Sequence, residues 1–355
     1  MRKYLKFIAL TLFAALVVVW FGRDLEWAKV WTALKSSDWR LIGVAVAIIC
    51  VTYMLRAYRW RALLAPLARG ASLRELFAAT VIGYGAIFLL GRAGEVARPA
   101  FLPLRERRVR PAAAFVTIAV ERLYDMVAVV LMFAANLLIL RMPAGGDAVL
   151  YSRVREAGVL MLGASVLGIA ALVLFRLYAG RVTGWLGRAF ERAPSLVRRA
   201  GKLLTHLLEQ LAGALGVLVD ARELLVTVGW TAVLWAAVTL ANLLVLRAFR
   251  LPYGASETIF VMGWSLVGSL VPTPGGAAGT YHVATAKGLE FLGTARHDAL
   301  AVSIVLHLVV FGPALFIGLY YFLRSDVSLA RLRAPADAGS EASASEARPV
   351  AHLTS

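Results

Sequence analysis

The feature that most constrains this chain is a series of long apolar segments separated by loops rich in arginine. A helix of about 20 apolar residues is long enough to cross the hydrocarbon core of a bilayer. The full-length candidates are residues 5–21, 39–55, 112–140, 158–178, 224–246 and 300–322. These segments predict an all-α, polytopic membrane protein with about six full spans.

The charge of the loops predicts their side of the membrane. The chain has 38 Lys and Arg against 21 Asp and Glu, a net charge of +17 that in a soluble protein would suggest nucleic acid. Here the cations cluster between apolar segments, which is typical of cytoplasmic loops beside anionic lipid. We therefore expect no nucleic-acid partner, and we expect both termini in the cytoplasm.

The chain divides by composition into a membrane domain and a tail. Residues 1–325 are predicted to form the membrane domain, which includes a cytoplasmic amphipathic helix at residues 181–222 with apolar residues at helical spacing. Residues 326–355 are rich in Ala, Ser, Glu and Pro, which predicts a disordered cytoplasmic tail.

Two further apolar segments are interrupted by turn-forming residues. Residues 76–90 contain Gly83 and Gly85 and lie between two basic loops, so they are expected to enter and leave on the cytoplasmic face. Residues 259–271 lead into the run 272–282, whose prolines and glycines oppose a continuous helix. The order of the spans places this second break on the opposite side. The pattern predicts two opposed re-entrant hairpins, as in inverted-repeat transporters.

Charged and glycine-rich positions at these breaks are the candidate substrate-binding or translocation residues. Charge within an apolar helix costs a few kcal/mol per residue and usually marks a pathway or a buried ion pair. Arginine could hold a phosphate and the acids a cationic amine, or an arginine could simply neutralise the acids. The candidates are Arg92, Glu95, Arg98, Glu121, Arg122, Asp125, Pro274, Gly275, Gly276, Gly279 and His282.

Three ordered motifs carry a resemblance to a known family. They are the stretch from Gly91 to Arg98, the stretch from Glu121 to Asp125, and the Pro-Gly run that begins at Pro272. Together they resemble the lysylphosphatidylglycerol synthase transmembrane region, also called the flippase-like family. The segment from Leu55 to Trp60 is similar to the basic, Trp-containing end of the second span in that family.

The resemblance implies a bundle in the bacterial cytoplasmic membrane that moves or binds a polar lipid. Two departures matter. The best-known members carry a soluble aminoacyl-transferase domain, which is not expected here, and many members have Glu where this chain has His282. We expect translocation of an anionic phospholipid or a polyprenyl-phosphate-linked lipid.

No enzyme motif, metal site or cofactor is predicted, since the sequence has no phosphate loop, zinc helix or nucleophile elbow. The alternatives are a non-transporting lipid-binding scaffold for an envelope-synthesis enzyme, and an intramembrane transferase. The partner is expected to be such an enzyme or a second copy of the chain.

Overall fold

A computed structural model describes residues 27–65, 67–68, 70–141, 148–191, 221–271, 274–325 and 327. The α-helices of these residues are α1 (Trp27–Ser36), α2 (Trp39–Leu64), α3 (Leu73–Leu90), α4 (Ala97–Arg105), α5 (Pro111–Ile139), α6 (Ala148–Glu191), α7 (Ala221–Ala248), α8 (Ala255–Ser269), α9 (Pro274–Phe291) and α10 (Arg296–Leu323). A 3-10 helix, Gly91–Val96, joins α3 to α4. No strand occurs in this part of the chain, so the predicted all-α class is confirmed.

Six of these helices are long and apolar enough to cross a membrane, which confirms a multi-pass bundle. Five of them, α2, α5, α6, α7 and α10, correspond to predicted spans. The sixth is α3, whose 18 residues extend for about 27 Å. The predicted first span, residues 5–21, lies outside the described residues.

Two helices extend well past their predicted ends. α2 continues to Leu64 rather than stopping near residue 55. α6 has 44 residues and continues to Glu191, so residues 181–191 of the predicted amphipathic segment belong to it. Residues 192–220 and the predicted tail, apart from Val327, lie outside the described part.

The first interrupted segment forms a helical hairpin of α3, the 3-10 helix and α4. Its two ends meet, because the Ser72 N–H donates to Glu106 Oε2 over 3.0 Å. Gly83 and Gly85 do not break α3; the break begins at Gly91, which has a φ of +60°. At Gly94 a Cβ would lie 2.3 Å from the backbone C and O of Ala86, so glycine allows the hairpin to close.

The second interrupted segment forms a hairpin of α8 and α9. Its ends are joined by Tyr253, whose hydroxyl donates to Leu292 O and lies 2.6 Å from Thr294 Oγ1. The break is narrower than the Pro-Gly run suggested, because α9 already begins at Pro274. Proline is tolerated in the first turn of a helix, where its missing N–H removes no helical hydrogen bond. Ala277 has a φ of +63°, so this first turn is irregular.

The two hairpins enter the bundle from opposite ends of α10. The base of the first hairpin lies beside the end of α10, where Arg74 and Arg105 line a groove together with Arg324. The base of the second includes Thr294, just before α10 begins at Arg296. The opposed arrangement predicted from the loop charges is therefore present in the fold.

The helices also repeat in order, as an inverted-repeat architecture requires. α2, the first hairpin and α5 correspond to α7, the second hairpin and α10. α2 packs along α7, α3 packs along α10, and α8 packs on α5. Each long helix that follows a hairpin therefore packs against the hairpin of the other half.

Candidate functional site

The first hairpin and α5 are joined by a buried ion pair. Arg98, in the first turn of α4, donates from Nη1 to Glu121 Oε1 over 2.6 Å. The side chains of Arg98 and Glu121 are 3% and 1% exposed. Two motifs that lie 23 residues apart in sequence thus meet in the interior.

α2 contributes a second arginine, Arg59, that binds both acids. Its Nη1 and Nη2 donate to the two oxygens of Asp125 over 2.7 and 3.0 Å, a bidentate geometry. Its Nη2 also lies 3.1 Å from Glu121 Oε1. Arg59 is fully buried, so it is the centre of the arrangement.

α2 and α7 supply further contacts to Asp125. Arg56, one turn before Arg59, pairs with Asp125 Oδ2 at 3.5 Å, and Trp235 Nε1 donates to Oδ1 over 3.2 Å. Thr231 accepts a hydrogen bond from Arg59 Nη1. Four helices, α2, α4, α5 and α7, therefore hold one set of charges, which we call the arginine network: Arg56, Arg59, Arg98, Glu121 and Asp125.

The arginine network has an excess of positive charge and unused donors. Its three guanidinium groups face two carboxylates, which leaves a formal charge of +1. Arg98 Nε and Nη2 and Arg59 Nε are buried without a hydrogen-bond partner in the described part of the chain. A buried donor without a partner costs about 1–3 kcal/mol. The arrangement is therefore suited to an anion that accepts hydrogen bonds.

Aromatic rings fix the arginines in place. The Arg98 guanidinium lies 4.3 Å from the ring centre of Trp60, whose Nε1 donates to Thr117. The Arg56 guanidinium lies 4.9 Å from the ring centre of Tyr84. Rings at this distance attract cations without using their N–H donors, which stay available to a ligand.

A second charge pair, Glu95 and Arg122, lies outside the arginine network. Arg122 Nε is 3.7 Å from Glu95 Oε2, and each side chain is 33% exposed. The Arg122 guanidinium also lies near Tyr84, the ring that contacts Arg56. Another candidate residue, Arg92, is in the 3-10 helix with Glu95, and the side chain of Arg92 lies outside the described set.

The glycine-rich candidates lie in the first turns of α9 rather than in an extended tip. Pro274, Gly275, Gly276 and Gly279 all belong to this helix. The N-terminus of a helix carries unpaired N–H groups and a partial positive charge, which favours anions. The N-terminal turn of α9 is therefore polar, because its backbone N–H groups have no helical partners, although the glycines themselves are helical.

His282, one turn further along α9, belongs to a separate aromatic cluster. Its ring centre is 4.9 Å from that of His307 on α10, and its Nδ1 lies 3.4 Å from Ser303 Oγ. Phe88, near the end of α3, stacks on His307. The two hairpins therefore meet at His307, and His282 contacts this meeting point rather than the arginine network.

The sequence profile of one family, the lysylphosphatidylglycerol synthase TM region, matches residues 7–318. The chain belongs to this family. A search of curated proteins found no similar sequence. Membership in the lysylphosphatidylglycerol synthase TM family agrees with the multi-pass helical bundle and with a lipid-related role in the membrane.

Within this member of the lysylphosphatidylglycerol synthase TM family, sequence reasoning missed the central residue. The second span was predicted to end at residue 55, so Arg56 and Arg59 were not among the candidate residues, whereas α2 continues to Leu64. The available signal was their spacing of three beside Trp60, which puts both arginines near one face of a continuing helix. Trp235 and Thr231 gave no signal, because they are ordinary residues of an apolar span.

One glycine controls the position of Arg98, and its replacement is a test of the network. At Gly83 a Cβ would lie 2.6 Å from the Cβ of Arg98. We expect Gly83→Ala to displace α4 and weaken the Arg98–Glu121 pair, with a loss of about 1–3 kcal/mol in the free energy of unfolding. Unfolding in detergent, compared with Gly43→Ala, measures the effect, since a Cβ at Gly43 would meet nothing within 4 Å. Equal stability of both variants would contradict this packing.

Proposed function

We propose that this protein translocates an anionic or phosphate-linked lipid across the membrane and that the polar head group passes along the arginine network. The observation that carries the proposal is the net positive charge of that network in the interior of the bundle. A lipid keeps its acyl chains in the bilayer while its head group needs a polar route. Buried arginines with unused donors supply such a route.

Phosphate is the head-group chemistry that these residues favour. Guanidinium groups bind phosphate oxygens in a planar, two-pronged geometry and stay ionised when desolvated. Glu121 Oε2 accepts no hydrogen bond in the described part of the chain, but both acids are paired with arginines and the network is positive, so it favours an anion over a cationic amine. The acids instead keep the arginines charged and in position. The phosphate accepts hydrogen bonds from the arginine N–H groups that the acids leave without a partner.

The proposal includes the membrane in which the protein lies and the absence of any chemical change to the lipid. We place the protein in the bacterial cytoplasmic membrane, with both termini and the basic loops in the cytoplasm. We propose that it acts without a cofactor and without changing the lipid. Either a phospholipid or a polyprenyl-phosphate-linked lipid would suit the network.

One observation favours a second candidate, a lipid-binding scaffold that supports an envelope-synthesis enzyme without transport. The carboxylates of Glu121 and Asp125 each lie within ion-pair distance of two arginines. Such pairing would hold α2, α4 and α5 together permanently, as a protein that binds lipid without moving it would need. A scaffold would retain lipid and bind its partner enzyme. It would not transfer lipid between leaflets.

A lipid-scrambling assay separates the two candidates. Purified protein is reconstituted into liposomes that contain a fluorescent phospholipid or a fluorescent polyprenyl phosphate, and transfer between leaflets is followed by chemical quenching. We expect Glu121→Gln to slow transfer at least about tenfold, because Arg98 and Arg59 lose a shared counter-ion worth more than about 1.4 kcal/mol. The matched control is Glu156→Gln, which removes an exposed carboxylate from α6.

The outcomes differ between the candidates. Translocation is supported if the unchanged protein and Glu156→Gln transfer lipid and Glu121→Gln transfers it more slowly. No transfer by the unchanged protein, with a specific lipid retained through purification, would replace translocation with the scaffold. A chemically altered lipid would replace both with a transferase.

A further inference from the structure

A groove at the base of the first hairpin forms a separate cluster of basic and hydroxyl side chains. It lies where α3 begins and where α4 and α10 end. We call it the base groove, and the polar residues that line it include Arg74, Glu75, Arg105, Tyr320, Arg324 and Ser325.

The only carboxylate among these lining residues is engaged by one of the arginines. Arg105 Nε and Nη2 donate to the two oxygens of Glu75, each over 3.3 Å. Glu75 therefore fixes Arg105 against α3 and neutralises it. No carboxylate in the described part of the chain pairs with Arg74 or Arg324, so the groove keeps two positive charges.

The two remaining arginines are presented differently. Arg324 lies over the ring of Tyr320 at 4.7 Å, which positions its guanidinium while leaving its N–H groups available. Arg74 is exposed near the start of α3. Two guanidinium groups and the hydroxyl of Tyr320 supply donors from two helix ends, which suits a phosphate with oxygens on several sides.

The location of the base groove determines which phosphates reach it. The ends of membrane-spanning helices lie near the head-group layer, where lipid phosphates are concentrated. The groove also shares α4 with the arginine network, because Arg105 lies two turns after Arg98. These residues are therefore about 10 Å apart along the helix.

We propose that the base groove binds the phosphate group of an anionic phospholipid. The site is distinct from the arginine network, and binding there requires no movement of lipid between leaflets. The proposal therefore goes beyond translocation and holds or fails independently of it.

Binding to purified full-length protein in uncharged detergent tests this site. The probes are dioctanoyl phosphatidylglycerol, dioctanoyl phosphatidylcholine and inorganic phosphate, titrated by microscale thermophoresis. The groove variant is Arg74→Gln with Arg324→Gln. The matched control is Arg61→Gln with Arg107→Gln, which removes two exposed arginines outside the base groove.

We expect the groove variant to bind phosphatidylglycerol at least about tenfold more weakly than the unchanged protein, as the loss of charge-assisted hydrogen bonds implies. The control should stay within about twofold, because exposed charges act weakly. Thermal unfolding should be the same for all three proteins, since Arg74 and Arg324 are exposed.

Three results would overturn the proposal. Equal weakening in the groove variant and the control would show general attraction by a basic surface. Unchanged binding of phosphatidylglycerol in the groove variant would place the lipid elsewhere. Tighter binding of inorganic phosphate than of phosphatidylglycerol would show that the groove prefers a soluble anion to a lipid.

Discussion

Replacing Arg59 by methionine is expected to lower the free energy of unfolding by about 3–5 kcal/mol, the cost of breaking a buried ion network from one side. Arg59 is fully buried and holds Asp125 through two hydrogen bonds and Glu121 through an ion pair. Its loss leaves two acids to share Arg56 and Arg98. Reversible unfolding in mixed micelles measures the change, with Arg61→Met, an exposed position on the same helix, as the control.

A double variant separates stability from function. With Arg59→Met and Asp125→Asn, the acid that has lost its two-pronged partner becomes neutral while Arg98 still pairs with Glu121, so part of the lost stability should return. Glu121→Gln as a third change should cancel this gain, because Arg98 would then be buried without a counter-ion. Lipid transfer should remain lost, because the positive route through the interior is incomplete. Transfer restored together with stability would show that the arginine network only supports the fold.

Replacing Gly94 by leucine is the second large effect that we expect. A Cβ at this position would lie 2.3 Å from the Ala86 backbone, which cannot rotate away as a side chain can. The first hairpin should open, with a loss of about 3 kcal/mol or more in stability. Arg98 follows in the same hairpin, so lipid transfer should fall as well.

The measurement is unfolding together with the scrambling assay, and the control is Gly163→Leu. A Cβ at Gly163 of α6 would meet nothing within 4 Å, so this variant should be close to the unchanged protein. Normal transfer and stability in Gly94→Leu would mean that the tip of the first hairpin does not pack as described. A loss shared equally with the control would point to a general effect of leucine in these helices.

Much of the fold could be predicted, because the bilayer limits the choices. Apolar length sets the spans, and loop charge gave the opposed entry of the hairpins. The ends of helices were less predictable. α2 continues past Leu55 into a basic stretch because Arg59 finds buried acids on another helix, a compensation that local composition does not show.

The candidate site, like the fold, was predicted only in part. Glu121, Asp125 and Arg98 were selected for their charge, and the structure brings them together. The role of Gly94 was not predicted: it lets α3 and the 3-10 helix approach each other, a contact that local sequence does not show. His282 was grouped with the charged candidates, but it contacts His307 on α10, a residue that was not among the candidates.

The meeting of the hairpins at His307 has a consequence for voltage dependence. His307 lies about 17 Å from the start of α10 and about 24 Å from its end, as the rise of a helix gives. An anion that reaches the depth of His307 along the bundle has crossed roughly half of the membrane potential. At 100 mV a full crossing is worth about 2.3 kcal/mol per charge, so each half carries about 1 kcal/mol. In the translocation proposed above, a charged head group would therefore cross in two electrically similar steps, each bordered by a different hairpin.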